Sequence, residues 1–255
     1  MTVIQAILLG IVEGITEFLP VSSTGHLILV SQISHLAQTD FLKSFEIIIQ
    51  LGAIASVIVL YWKSFLNLTI IKKLVVAFLP TALVGFTLYR VVKTYFLGNN
   101  AIVLWALFIG GIVLIVFELL HKEKDTATED VHSISYSQSF FVGLFQSVAL
   151  IPGVSRSAAT ILGGLLLGLK RKTIVEFSFL LAVPTMLAAS GLDLYKNAST
   201  FSLNEAGILA VGFFSAFLVA MASIKFFLGF VQKHDFVPFG IYRILVALLF
   251  WFIIF

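Results

Sequence analysis

Cysteine is absent from the 255 residues, so disulfides, thiolate metal sites and a cysteine nucleophile are all excluded. Charge is nearly absent too. Only 11% of residues are charged, whereas a soluble domain is nearer a quarter. The N-terminus has neither the basic region nor the small-residue cleavage site of a removable signal peptide, so no processing is expected there. The net charge of +3 is too small to suggest a nucleic-acid partner, and it fits basic loops on one side of a membrane. What fills the chain instead is apolar: 60% hydrophobic residues, 26 of them phenylalanine, at a mean hydropathy of +1.09. Such a chain belongs in a bilayer.

Stretches of about 20 apolar residues mark transmembrane helices. Six are found, at Phe45–Trp62, Leu74–Val92, Ala101–Leu120, Phe177–Tyr195, Ala206–Lys225 and Pro238–Phe255. Two more apolar stretches, Val3–Val30 and Phe140–Leu169, are broken in the middle by proline, small and polar residues. Broken backbone at membrane depth is tolerated only where protein or a water-filled cavity satisfies it. Both are therefore expected to be re-entrant hairpins of two half-helices. The polar stretch 121–138 divides the chain near its middle.

A shift of 133 residues lays Gln5 on Gln138, Gly10 on Gly143, Val21 on Val154, Ser22 on Ser155, Ile28 on Ile161 and Leu29 on Leu162. The same shift carries the three spans of the first half onto those of the second, which points to an internal repeat. The expected fold is an all-α polytopic membrane protein. It has a first repeat over 1–120 (hairpin 3–30 plus three spans), a cytoplasmic linker over 121–138, and a second over 139–255 (hairpin 140–169 plus three spans). Three spans per half is an odd number, so the repeats are inverted and the hairpins meet near the midplane. Lys63, Lys72, Lys73, Lys122, Lys124, Lys170, Arg171, Lys172, Lys225 and Lys233 then share one side. Lys43, Arg90, Lys93 and Lys196 share the other. The richer side is cytoplasmic by the positive-inside rule, which turns the first hairpin's mouth outward.

The break in the first hairpin reads "EGITEFLPVSSTGH", residues 13–26. Glu13 and Glu17, four apart, share one helical face, and like charges that close call for a cation between them. A hard divalent ion, Mg²⁺ or Ca²⁺, suits two carboxylates and shares phosphate ligands readily. The plainer alternative is a glutamate pair near an interface with one carboxyl protonated. Pro20 ends one half-helix, and Ser22 or Ser23 would cap the next, leaving first-turn N–H groups free. His26 follows Ser23 by three residues, a spacing that allows nucleophilic or acid–base work; capping and helix packing would also account for these residues.

In the second break, "PGVSRSAAT" (152–160), Ser155 or Ser157 would cap and Arg156 is the only formal charge between Phe140 and Leu169. A guanidinium at a helix N-terminus suits phosphate; as an alternative it would pair with Glu13 or Glu17 and hold the hairpins together. The two clusters together fit a polyanion attached to something that tolerates lipid.

At "GIVEGITEFLPVSSTGHL" (10–27) and "PGVSRSAATI" (152–161) the chain resembles the undecaprenyl-diphosphatase, or bacitracin-resistance, family, and the span layout agrees over essentially its whole length. Ala158 stands where many members are expected to have glycine. The resemblance implies a multi-pass phosphatase of the bacterial plasma membrane. It would hydrolyse C55 undecaprenyl diphosphate to the monophosphate and inorganic phosphate at the outer face, recycling the carrier lipid for wall polymers. It implies Glu13, Glu17, Ser23, His26 and Arg156 as catalytic residues, with Glu13 and Glu17 at the metal. Ser22, Thr24, Ser155 and Ser157 are candidate substrate-binding hydroxyls. The nucleophile is left open between Ser23, His26 and metal-activated water, and a homodimer is left open as well. Two other function classes compete. A flippase for a phosphorylated lipid would need the anion site without the nucleophile, and an intramembrane serine protease would have no place for Arg156.

Overall fold

The computed structural model describes residues 1–96, 99–123, 127–196 and 205–254; part of the expected linker, including Lys124, and Phe255 of the last expected span lie outside the described residues. Ten α-helices make up the described fold. They are α1 (Val3–Thr16), α2 (Ser23–Ile33), α3 (Asp40–Leu60), α4 (Leu68–Val91), α5 (Asn100–Leu120), α6 (Tyr136–Gln146), α7 (Arg156–Leu166), α8 (Arg171–Lys196), α9 (Ala206–Phe230) and α10 (Val237–Ile254). Five of them, α3, α4, α5, α8 and α9, are long and apolar enough to cross a membrane. The sixth expected span, α10, is apolar apart from Tyr242 and Arg243 but has only 18 residues.

The two interrupted stretches are helix pairs. α1 has 14 residues and α2, α6 and α7 have 11 each. At 1.5 Å per residue even α1 extends only about 21 Å, short of a hydrocarbon core of about 30 Å. The sequence explains both beginnings. Thr2 and Gln5 form a reciprocal capping box at the start of α1, and Ser135 and Gln138 form the same box at the start of α6. These pairs are 133 residues apart, and the cap brings 136–138 into α6 rather than into the linker.

Small residues let the helices approach closely. A Cβ on Gly10 or Gly14 of α1 would lie 2.8 Å from backbone oxygens of Gly212 or Ala216 on α9. Gly143 of α6 sits as tightly on Ala77 of α4. Van der Waals fit of this kind is what holds helices together in lipid, where burial of apolar area gives little. Thus α1 packs on α9, α6 on α4, α3 on α8, and α5 on α10. The main core gathers Phe18, Phe177, Phe179, Phe227 and Phe236, all fully buried, while Phe86 and Phe252 lie on the outer surface, 85% exposed.

Candidate active site

Both breaks end in the same place. Glu17, the last residue of the α1 turn, is joined through Oε1 to Nη2 of Arg156 at 2.7 Å, across 139 residues of sequence. Beside it the Ser157 hydroxyl donates to the Phe18 carbonyl at 2.8 Å. Arg243 of α10, 1% exposed, completes the junction. Its guanidinium donates to Pro20 O (3.2 Å) in the first turn and Gly153 O (3.3 Å) in the second, and to Ala106 O (2.9 Å) and Leu107 O (3.3 Å) on α5. Gly110 leaves the space: a side chain there would collide with this guanidinium. A buried charge bound to four carbonyls has most of its five N–H donors satisfied by the protein, which makes it tolerable.

The local conformations of the two turns differ. Ser155 caps α7 as expected, its hydroxyl accepting from Ala158 N at 3.1 Å. Ser22 occupies the equivalent place before α2 but makes no side-chain cap bond, and its φ of 72° is a strained, left-handed value for a residue with a Cβ. The first-turn N–H groups of α2 are therefore left without a side-chain acceptor. Position 23 departs too: Ser23 stands where the second half has Arg156. The halves diverge at Ser22/Ser155 in conformation and at Ser23/Arg156 in residue type.

Ser23 Oγ donates to Glu17 Oε2 at 2.5 Å, so one carboxylate holds both the serine and the arginine. Ser23 and His26 are not hydrogen-bonded to each other. Instead the His26 ring lies against α10, with Nδ1 2.8 Å from Ser22 O and Nε2 2.8 Å from the Tyr242 hydroxyl. The two residues do share a helical face, but the turn at Ser22 sends the imidazole toward another helix. Glu13 is fully buried, and neither of its carboxylate oxygens has a hydrogen-bond partner among the described residues.

Arg156 makes the ion pair with Glu17 that was the alternative reading of its role. Besides Glu17 it holds Ser178 O at 3.0 Å through Nη1, with Ser178 Oγ more distant at 3.4 Å, and its Nε–H is buried with no partner among the described residues. Thr160, one turn later, meets Ser178 Oγ at 2.6 Å. Of the hydroxyls expected to bind substrate, Ser155 and Ser157 are committed to the cap and the hairpin contact. Ser22 is buried and makes no cap bond, and Thr24 is exposed.

Tyr242, Arg243, Ser178 and Thr160 were not singled out from the sequence. Arg243 had a signal, as the only charge between Val237 and Phe255 in an apolar stretch. The other three are ordinary helix residues by spacing, and only packing gives them partners.

A metal can be tested on the donor set. Among the described residues no group of three or more His, Cys, Asp or Glu side chains is placed to hold an ion. A buried carboxylate with two unpartnered oxygens does fit a hard cation that takes its remaining ligands from water and phosphate, as Mg²⁺ does.

Comparison with known proteins gives the family. The chain is 51% identical over 251 residues to an undecaprenyl-diphosphatase of Sulfurihydrogenibium sp. (strain YO3AOP1), covering 98% of this chain and 99% of that one. It is 53% identical over 253 residues to the protein of the same name from Wolinella succinogenes, covering 99% and 98%. Its identity to the Aquifex aeolicus protein of that name is 49% over 251 residues, covering 98% of each. The family profile described as "Bacitracin resistance protein BacA" matches residues 6–249, which take in both hairpin breaks and the Tyr242–Arg243 pair; the chain belongs to this family.

Proposed function

We propose that this chain hydrolyses undecaprenyl diphosphate to undecaprenyl phosphate and inorganic phosphate, recycling the carrier lipid of cell-wall polymers and so conferring bacitracin resistance. The observation that carries the reading is the Glu17 carboxylate bridging Ser23 Oγ and Arg156. A flippase needs an anion site but has no use for a hydroxyl hydrogen-bonded to a buried base.

The chemistry follows from who can give and take protons. Ser23 Oγ attacks the terminal phosphorus and its proton moves to Glu17 Oε2. The bond from that phosphorus to the bridging oxygen breaks, and the lipid monophosphate leaves with the electron pair. Its low basicity means that it needs no proton. Water then attacks the phosphoserine, the Ser23 O–P bond breaks, and Oγ recovers its proton from Glu17. His26 is the remaining base for that water. Both its ring nitrogens already have partners, which favours Ser23 over His26 as the nucleophile.

Arg156 lowers the charge that builds on the phosphoryl oxygens, its buried Nε–H being a donor not committed to any described residue. The bare first turn of α2 offers backbone N–H groups for the same purpose. Ser22 and Thr24, at that turn, are the hydroxyls proposed to contact the phosphates; the bonds of Ser155 and Ser157 favour structural roles for those two. A divalent cation, Mg²⁺ or Ca²⁺, would be held by Glu13 and Glu17 and would supply charge neutralisation for the diphosphate.

The polytopic arrangement belongs to the same proposal: six spans and two re-entrant hairpins in two inverted repeats, in the bacterial plasma membrane. The interchange of packing partners supports it, α1 on α9 against α6 on α4, as do the capping boxes 133 residues apart. The Lys and Arg count favours a cytoplasmic 121–138 segment and a site open to the outer face. The isoprenyl chain has apolar surface available in a groove of about 580 Å³ between α5 and the second hairpin that reaches Val154.

Phosphate release from undecaprenyl diphosphate by the purified protein tests the reaction. Ser23→Ala, removing the attacking oxygen, should lower turnover by about three orders of magnitude or more. Retained turnover would remove Ser23 from the mechanism.

A further inference from the structure

The His26 ring poses a difficulty for its role as the base. Nδ1 lies 2.8 Å from the Ser22 carbonyl, and a carbonyl only accepts, so Nδ1 carries the hydrogen. The neutral ring then has one lone pair, on Nε2, and the Tyr242 hydroxyl 2.8 Å away donates to it. No water can hand a proton to Nε2 while that bond stands. Yet the tyrosine oxygen still has acceptor capacity, and Tyr242 is 43% exposed where His26 is only 8% exposed. The two rings lie 4° from parallel with centroids 5.5 Å apart, so ring packing as well as the hydrogen bond keeps the tyrosine beside the imidazole.

We infer that Tyr242 is a catalytic proton relay: it takes the proton of the water that hydrolyses phospho-Ser23 and passes its own to His26. The inference rests on the phosphoserine mechanism proposed above. In balance, the water oxygen bonds to phosphorus and the Ser23 O–P bond breaks. One water proton moves to the Tyr242 oxygen as the Tyr242 hydrogen moves to Nε2. Tyrosine ends neutral and His26 ends as imidazolium, with Nε2–H now donating to the tyrosine oxygen. Release of that proton to the departing phosphate or to solvent restores the resting state. The neighbouring residue explains the precision of placement. Arg243 ties the same turn of α10 to both hairpin breaks and to α5, so the hydroxyl has little freedom to wander from Nε2.

Tyr242→Phe keeps the ring and its packing and removes only the relay. Turnover should fall about a hundredfold, in the range of general acid–base catalysis, with KM within twofold and thermal stability unchanged. Because only the second step is slowed, rapid-quench measurements should show a burst of lipid monophosphate ahead of phosphate release. Mass spectrometry of the quenched variant should find phosphate on Ser23. The His26→Ala/Tyr242→Phe double variant should be no slower than His26→Ala. Normal turnover in Tyr242→Phe beside a crippled His26→Ala would overturn the relay and leave the reaction standing. So would a stable Tyr242→Phe protein, slowed without a burst, whose loss multiplies with that of His26→Ala. A Ser23→Ala variant that still turns over would instead overturn the underlying mechanism, and the relay with it.

Discussion

Replacing Arg156 by lysine keeps a positive charge at the junction of the hairpins but removes the planar fork. The guanidinium makes one charged bond to Glu17 at 2.7 Å and another, in a different direction, to Ser178 O at 3.0 Å. A single ammonium on a shorter stem reaches one of these groups and leaves the other, and it has nothing in the position of Nε. Losing one hydrogen bond made by a charged group costs about 1.5–3 kcal/mol. Where that bond is needed in the transition state, turnover falls about ten- to a hundredfold. The lysine protein should remain folded, because Glu17 keeps a cation. Alanine should do more damage: it takes the guanidinium away from Glu17, buried beside Glu13, a change worth about 3–5 kcal/mol of stability. The assay is steady-state phosphate release from the diphosphate lipid, with thermal unfolding measured on the same preparations. Near-normal turnover in a stable Arg156→Lys protein, next to an unstable Arg156→Ala protein, would refute the reasoning. Arg156 would then be a strut.

Glu13→Gln should insert and fold at least as well as the parent, since it removes an unpartnered buried carboxyl, and should lose most of its activity along with any dependence on added Mg²⁺. A Glu13→Gln protein as active and as chelator-sensitive as the parent would remove Glu13 from the metal. Arg243→Met should lower thermal stability by several kcal/mol, because four carbonyls from two hairpin turns and α5 lose their donor at about 1–3 kcal/mol each before relaxation. An unchanged melting temperature would count against the clamp. Ser133→Cys, a single cysteine in a chain that otherwise has none, should resist membrane-impermeant thiol reagents on intact cells and react after permeabilisation. Labelling from outside would reverse the proposed orientation.

Much of this protein could be read from residue order because a bilayer penalises charge and broken backbone so heavily. Glu13, Glu17, His26 and Arg156 stood out as polar side chains in apolar surroundings, and Pro20 and Pro152–Gly153 marked where short helices had to end. Helical spacing then told which side chains share a face. It could not tell what that face meets. Ser23 and His26 are three apart on α2, yet the serine turns to Glu17 and the histidine to Tyr242, 216 residues away. Whether Arg156 would bind phosphate or pair with an acid was equally undecided, and the folded chain has it holding Glu17 with Nε still free. Arg243 was visible as a lone charge, but its meaning lies in four carbonyls drawn from three separate parts of the chain. Periodicity is a property of one helix and a hydrogen bond across the bundle is a property of two. The first was written in the sequence; the second was decided by which small residues let the helices pack.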